Sequence, residues 1–241
     1  MLVARARTNL RWCQTPSRVC AGCVPFFGER LKMSSSTSTV DFVPRRPREV
    51  LPGGVYHAGS RGNNRQPLYW TDDDRWAFLD TLDAVVRRWE WIVMTYCLMP
   101  NHFHLVLQVP QAGLSEGMQY LIGSYARRTN ACYGRTGHLF RNRFWSELIE
   151  SDARLLTTMR YVVLNPVRAG LCSSPERWRW SSHRACAGLD EAPRFLAVDY
   201  VLSFFGQRRA EACLAYRRFV SDGQPPVSDT TVPREVRVTS G

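Results

Sequence analysis

The chain has 241 residues, of which 44% are hydrophobic and 12% aromatic, enough to bury a sizeable core and too apolar for wholesale disorder. Lys and Arg number 32 against 21 Asp and Glu, giving a formal charge of +11 that is almost wholly arginine, because Lys32 is the only lysine. Arginine's planar fork suits phosphates and base edges, so nucleic acid is the leading partner class, and the absence of a run of about 18 apolar residues excludes a transmembrane helix.

Residues 1–32 carry 6 basic residues and one acid without periodicity, and lack the apolar core of a secretory signal. A Ser/Thr tract after Met33 reads as linker. Of two explanations, a basic tail or upstream sequence preceding a true start at Met33, the second is preferred. The 8 cysteines form no disulfide framework, and Cys20-x-x-Cys23 has no second pair at zinc-finger distance.

From Val55 the pattern alternates. Val55 to Ser60 reads as a strand, followed by the loop Arg61-Gly62-Asn63-Asn64-Arg65. Asp72 to Arg88 reads as a helix with acids in its first turn and arginines in its last, matching the helix dipole. Trp91 to Leu98 is a β-type run turned by Pro100-Asn101 into another strand ending at Pro110. Leu114 to Tyr133 reads as a second helix, Arg143 to Glu150 as a strand, and Asp152 to Leu164 as a third helix. Asn165-Pro166 is expected to end that helix, since the residue before proline is pushed out of α geometry. The order β-α-β-β-α-β predicts an α+β class, a ferredoxin-like split βαβ core with the third helix added to it. Arg177 to His183 is a Trp-rich segment, and Asp199 to Val220 reads as one amphipathic helix. The expected organisation is therefore an extension over 1–43, a catalytic domain over 44–172, a Trp-rich and helical segment over 173–221, and a tail over 222–241.

Chemistry concentrates in two places. In Pro100-Asn101-His102-Phe103-His104, the two histidines fall on one face of a strand, about 7 Å apart at roughly 3.3 Å per residue. Phe103, Leu105, Leu107 and Val109 point the other way, into a core. Two imidazoles on one rigid face make half of a divalent-metal site. In the third helix, Tyr161 and Asn165 lie four residues apart and share a face. Together the four residues supply three neutral metal ligands and a nucleophile. Phosphodiester cleavage needs such a set: a Lewis acid against charge developing on phosphate oxygens, and a group able to hold the broken end covalently. Taken singly, Tyr161 reads rather as a half-buried aromatic with its hydroxyl satisfied, and Asn165 more strongly still as a residue at a helix C-terminus.

The chain resembles the REP-associated tyrosine transposases, a branch of the single-tyrosine HUH transposases. The resemblance runs from about Val55 to Ala187 through several motifs in order. They are Gly54-Val55-Tyr56-His57, Ser60 to Arg65, Tyr96 to His104, Gly137 to Phe144, Arg160-Tyr161 with Asn165 to Gly170, and Trp180-Ser181-Ser182. It implies a ferredoxin-like core that binds hairpin-forming single-stranded DNA. It also implies Mg²⁺ or Mn²⁺ held by His102, His104 and Asn165, and a 5′-phosphotyrosine link formed by Tyr161. Related transposases outside this branch carry Gln where Asn165 stands, and none of the four positions departs from the pattern. No small-molecule cofactor and no membrane partner are expected, and a cytoplasmic, nucleoid-associated monomer is favoured over a dimer. The alternative is a hairpin-binding regulator that does not cut.

Tyr125, beside Arg127 and Arg128, is the competing tyrosine, but its i+4 partner Thr129 is a poorer ligand than Asn165. For DNA, Arg61, Asn63, Asn64 and Arg65 form a hydrogen-bonding loop, and Arg127, Arg128, Arg135, Arg141 and Arg143 cluster between the second helix and the next strand. Tyr133, Phe140, Phe144 and Trp145 are interleaved there and offer stacking platforms, the alternative being aromatics packed in the core with the arginines as a solvated rim, expected for about half of them. His57 and His138 could assist in the site, though lone histidines are more often structural; Arg177, Trp178, Arg179 and Trp180 invite a DNA-contact reading, with packing of the tryptophans against the domain preferred.

Overall fold

The computed structural model describes residues 50–111 and 113–224, all within one compact unit. The expected basic extension, Cys20-x-x-Cys23 and most of the C-terminal tail lie outside those residues.

Strands β1 (Val55–Arg61), β2 (Ile92–Met99), β3 (His102–Gln108) and β4 (Trp145–Ile149) form one antiparallel sheet in the order β2-β3-β1-β4. Helices α1 (Asp72–Trp89) and α2 (Leu114–Tyr133) are the crossovers of a split βαβ core. The expected α+β, ferredoxin-like class is therefore observed. Helix α1 starts at a capping box, with the Thr71 hydroxyl accepting from the Asp74 amide and the Asp74 carboxylate accepting from the Thr71 amide. Helix α2 ends at Gly134, whose φ of +58° closes the last turn.

The pleat divides the core. Odd-numbered β3 residues face the α1/α2 layer, where the Phe103 ring meets Phe78 at 4.7 Å. Even-numbered ones face α3 (Asp152–Arg168), which covers the opposite side of the sheet. A strand buried on both faces explains why only its polar ends, His102 and Gln108, reach partial exposure.

Two helix boundaries differ from expectation. Helix α3 runs through Pro166 to Arg168 instead of ending at Leu164. Burial of Val162, Val163, Leu164 and Pro166 against the sheet outweighs the local preference of Asn165, and amides 169 and 171 close the end on the Asn165 and Pro166 carbonyls. The C-terminal helix is two, α5 (Val198–Ser203) and α6 (Arg209–Ser221), separated where Gly206 takes a φ of +156°. Between α3 and α5 lies the four-residue helix α4 (His183–Cys186).

The segment before α4 seals the free edge of β2. The Leu98 amide donates to the Trp180 carbonyl and the Ser182 amide to the Tyr96 carbonyl, while Trp180 is buried and Trp178 Nε1 donates to the Leu98 carbonyl. Among the described residues Cys97, Cys132, Cys172, Cys186 and Cys213 are free thiols. None of the described helices is long and apolar enough to cross a membrane.

Candidate active site

Antiparallel partners share a face, and the register decides what meets His104. Gly59 and Cys97 stand opposite His104, Arg61 opposite His102, and His57 opposite both Val106 and Glu147. The α3-facing side of the sheet therefore gathers His57, His102, His104 and Trp145 on three neighbouring strands.

The imidazoles of His102 and His104 lie 5.0 Å apart between ring centres at 83°. Asn101 Oδ1 lies 2.7 Å from His102 Nδ1, which leaves Nε2 as that ring's outward nitrogen. His104 Nδ1 lies 3.1 Å from His57 Nε2. Its other nitrogen, Nε2, is buried with no hydrogen-bond partner, an expensive condition for a polar atom unless something else satisfies it. Burial lowers His102 to about 4, helped by Arg61, and His104 to about 3, helped by His102 and His57. Burial also brings His57 to about 4 against the opposing pull of Glu147. All three rings are neutral near pH 7, the form in which imidazole binds a cation.

Trp145 roofs this face. Its indole meets His57 edge-on at 4.6 Å and His104 at 5.6 Å, and it rests on Gly59. A Cβ at Gly59 would stand 2.7 Å from the indole and 2.3 Å from the Phe103 carbonyl, so only glycine fits.

Helix α3 brings the tyrosine. Ser151 caps it by accepting from the Arg154 amide, and Leu155, Met159, Val162 and Val163 bury its apolar stripe. That rotation leaves Tyr161 41% exposed, with its ring 6.0 Å from His104 and 6.2 Å from His57. Asn165, one turn on, donates Nδ2 to the Tyr161 carbonyl, so its Oδ1 is the atom left for a cation. Arg168, a further turn on, lies over the Tyr161 ring at 5.2 Å. Tyr125 is excluded from this chemistry: it is 1% exposed in the α1/α2 layer and donates to the Leu68 carbonyl at 2.6 Å.

The described residues hold no cluster of three His, Cys, Asp or Glu able to bind a metal. The candidate set has only two such residues, its third donor being an amide. An unsatisfied buried imidazole nitrogen, two neutral rings and a carbonyl oxygen fit a hard divalent cation that keeps water or substrate oxygens in its other positions.

The residues singled out for DNA fall in two places. Arg61, Asn63, Asn64, Arg65, Arg135, Arg141 and Arg143 gather at the end of the sheet where His102 begins β3. The Gly62 amide there donates to the Asn101 carbonyl, the Asn63 amide to Leu139, and the Arg141 amide to Arg61. Arg135 also donates to Gln66 Oε1 at 2.6 Å. Asn64 and Arg65 hold φ of 49° and 57°, a left-handed pair rare outside glycine and fixed here by Asn101 Nδ2 donating to the Arg65 carbonyl. Arg127 and Arg128 are exposed on α2, in the helix layer across the sheet from Tyr161. Of the four aromatics, Tyr133 and Trp145 are exposed, whereas Phe140 and Phe144 are buried in the core. His57, which the sequence left open as a helper of the site, stands beside it, whereas sequence reading missed Asn101 and Arg168 as its neighbours; for Arg168 the seven-residue spacing from Tyr161 was the available signal.

With that geometry in place, comparison with known proteins is specific. Residues 53–165 match the family described as Transposase IS200 like. Over those residues this chain is similar to the IS200-like transposases. A Haemophilus influenzae protein classed among the REP-associated tyrosine transposases is 26% identical over 149 residues, covering 57% of this chain and 84% of the relative. A REP-associated tyrosine transposase whose structure was solved bound to a REP hairpin superposes with a TM-score of 0.52 at 20% identity, over 61% of this chain and 88% of that one. That likeness establishes a shared fold, and the resemblance to REP-associated tyrosine transposases drawn from the motifs is borne out. That match ends at Asn165, so the segment sealing β2 and helices α5 and α6 lie beyond it.

Proposed function

We propose that this protein is a metal-dependent single-stranded DNA endonuclease and strand transferase acting next to hairpin-forming repeats. The observation that carries this reading is the convergence, within one chain, of the exposed Tyr161 ring 6.0 Å from His104 and the unsatisfied His104 Nε2. Support for the DNA substrate comes from the arginine-rich sheet end and from the hairpin bound by the related protein.

His102, His104 and Asn165 would hold Mg²⁺ or Mn²⁺. When bound, the ion supplies Lewis acidity toward the scissile phosphate, and its charge is little quenched by three neutral ligands. Tyr161 attacks phosphorus through Oη; the new O–P bond forms as the P–O3′ bond breaks. The phenol proton is given up and the leaving 3′-oxygen takes one, so a 5′-phosphotyrosine and a free 3′-hydroxyl result. Reversal onto another 3′-hydroxyl joins strands and regenerates the phenol. Arg168 stands where it can bind a non-bridging phosphate oxygen, and Trp145 keeps bulk water from the imidazoles.

The test is covalent trapping. End-labelled hairpin DNA from repeats near the gene is incubated with Mn²⁺ or Mg²⁺ and wild type, Tyr161→Phe or Tyr125→Phe protein. The expected result is a denaturation-resistant adduct abolished by EDTA and by Tyr161→Phe, and retained in Tyr125→Phe. Tight hairpin binding with no adduct under any condition would instead establish the regulator that does not cut.

A further inference from the structure

Resting on that reading, the geometry points to His57 as a positioning residue that fixes the tautomer and orientation of His104 for the cation. His57 lies on β1 and His104 on β3, 47 positions apart in sequence, yet His57 Nε2 and His104 Nδ1 lie 3.1 Å apart in a buried contact. One of the two nitrogens must donate and the other accept. If His57 Nε2 donated, His104 would carry its proton on Nε2, a buried N–H with no acceptor. If His104 Nδ1 donates, Nε2 becomes a lone pair aimed into the site. Only the second arrangement makes His104 a ligand, and it needs an acceptor at the position His57 Nε2 occupies.

The surroundings hold His57 there. Its ring is 7% exposed, wedged edge-on against Trp145 at 4.6 Å, with its plane 26° from that of His104. The carboxylate opposite it in the sheet, Glu147, pairs with Arg154 at 2.9 Å. Metal-binding histidines usually give their second N–H to a carboxylate, a carbonyl or water. Here a neutral imidazole takes that place, leaving the charge of the site to the ion and the DNA. Asn101 Oδ1 stands in the matching relation to His102 Nδ1 at 2.7 Å, so each imidazole of the pair has its own acceptor.

Two readouts test this apart from turnover. In wild-type protein labelled with ¹⁵N-histidine, the His104 resonances should show a protonated Nδ1 and a bare Nε2 without added metal, and His57→Ala should mix the two tautomers. Mn²⁺ binding followed by electron paramagnetic resonance should weaken about 10- to 100-fold in His57→Ala. His57→Gln, whose amide oxygen can reach the same place, should recover part of the loss. Hairpin affinity without metal should stay at the wild-type value, and adduct formation in His57→Ala should return at saturating Mn²⁺. A folded His57→Ala protein with wild-type Mn²⁺ affinity would overturn the assignment. So would wild-type His104 protonated on Nε2, a result that requires no variant to fold. If wild type bound Mn²⁺ without dependence on His102 and His104, the nuclease reading itself would fail, and the tautomer measurement would still separate the two failures.

Discussion

Arg160 lies with its guanidinium 4.6 Å above the Phe219 ring and donates to the Phe219 carbonyl, tying the helix that presents Tyr161 to the last helix of the chain. The tie is one residue before the tyrosine, so any tilt of α3 that it prevents would move the hydroxyl relative to His104. Cation–π contacts contribute about 0.5–1 kcal/mol, up to about 2 when desolvated. Arg160→Ala should therefore lower the melting temperature by about 1–4 °C for an ordinary contact, at roughly 2–4 °C per kcal/mol for a chain of this size. Adduct formation should fall by more than that loss of stability explains, because Arg160 sits next to Tyr161 on α3. Calorimetry beside a trapping time course checks both, and an unchanged adduct rate would show that α6 supports the fold alone.

Tyr125→Phe separates the two tyrosines by a different quantity. The Tyr125 hydroxyl donates to the buried Leu68 carbonyl at 2.6 Å, and removing it strands that carbonyl. The cost is about 1–3 kcal/mol of stability. Chemical denaturation should register the loss while metal-dependent adduct persists. Tyr161→Phe should do the reverse, since a 41% exposed ring gives up little when its hydroxyl goes.

Much of this architecture was legible in the sequence because it is written in local periodicity. The His-x-His spacing placed both imidazoles on one face, and the first-turn acids of α1 and Gly134 marked helix ends. What escaped depends on pairing between distant segments. His57 could be left open as a helper of the site, but which residue it meets could not be read; only the β1–β3 register sets it beside His104. Pro166 misled because local sterics argue for an end, whereas the sheet beneath α3 favours one more turn. Phe140 and Phe144 carry the same residue type as a stacking platform, and only tertiary packing sent them inward.

Acid should destabilise the protein through its histidines. His57 and His102 are lowered to about 4 and His104 to about 3, against 6.5 when unfolded. Between these limits the unfolded chain binds more protons than the folded one, so stability rises with pH. The contribution is complete above about pH 6.5 and is lost progressively as pH falls toward 4 for His57 and His102 and toward 3 for His104. Melting temperatures measured across this window in metal-free buffer should drop steeply, and His102→Gln should flatten the slope. A flat profile in wild type would mean that the three rings are solvated.

Gly59→Ala tests the roof over the imidazoles. The added methyl meets the Phe103 carbonyl at 2.3 Å and the Trp145 indole at 2.7 Å, so either β1 shifts away from β3 or the indole leaves. Overpacking of this kind typically costs about 1–3 kcal/mol. Loss of stability should come with a red-shifted, more quenchable tryptophan fluorescence as Trp145 moves toward water. The double variant Gly59→Ala with Trp145→Ala should relieve the clash with the indole and leave that with the carbonyl, so it should recover only part of the stability.

The arginines divide into two sets that salt dependence can tell apart. Arg61, Arg65, Arg141 and Arg143 surround the end of the sheet where His102 stands, whereas Arg127 and Arg128 are on α2 beyond the sheet. Removing an arginine that neutralises one phosphate should reduce the slope of log affinity against log salt by about 0.7 on single strands and 0.9 on duplex. Alanine at the first set should weaken hairpin binding at low salt and flatten the slope by nearly that amount for each residue replaced. Alanine at Arg127 and Arg128 should change the slope less if the strand enters at the imidazole end, because those side chains lie in the opposite layer. Equal effects from both sets would mean that the hairpin stem runs across α2, with only its single-stranded flank reaching Tyr161.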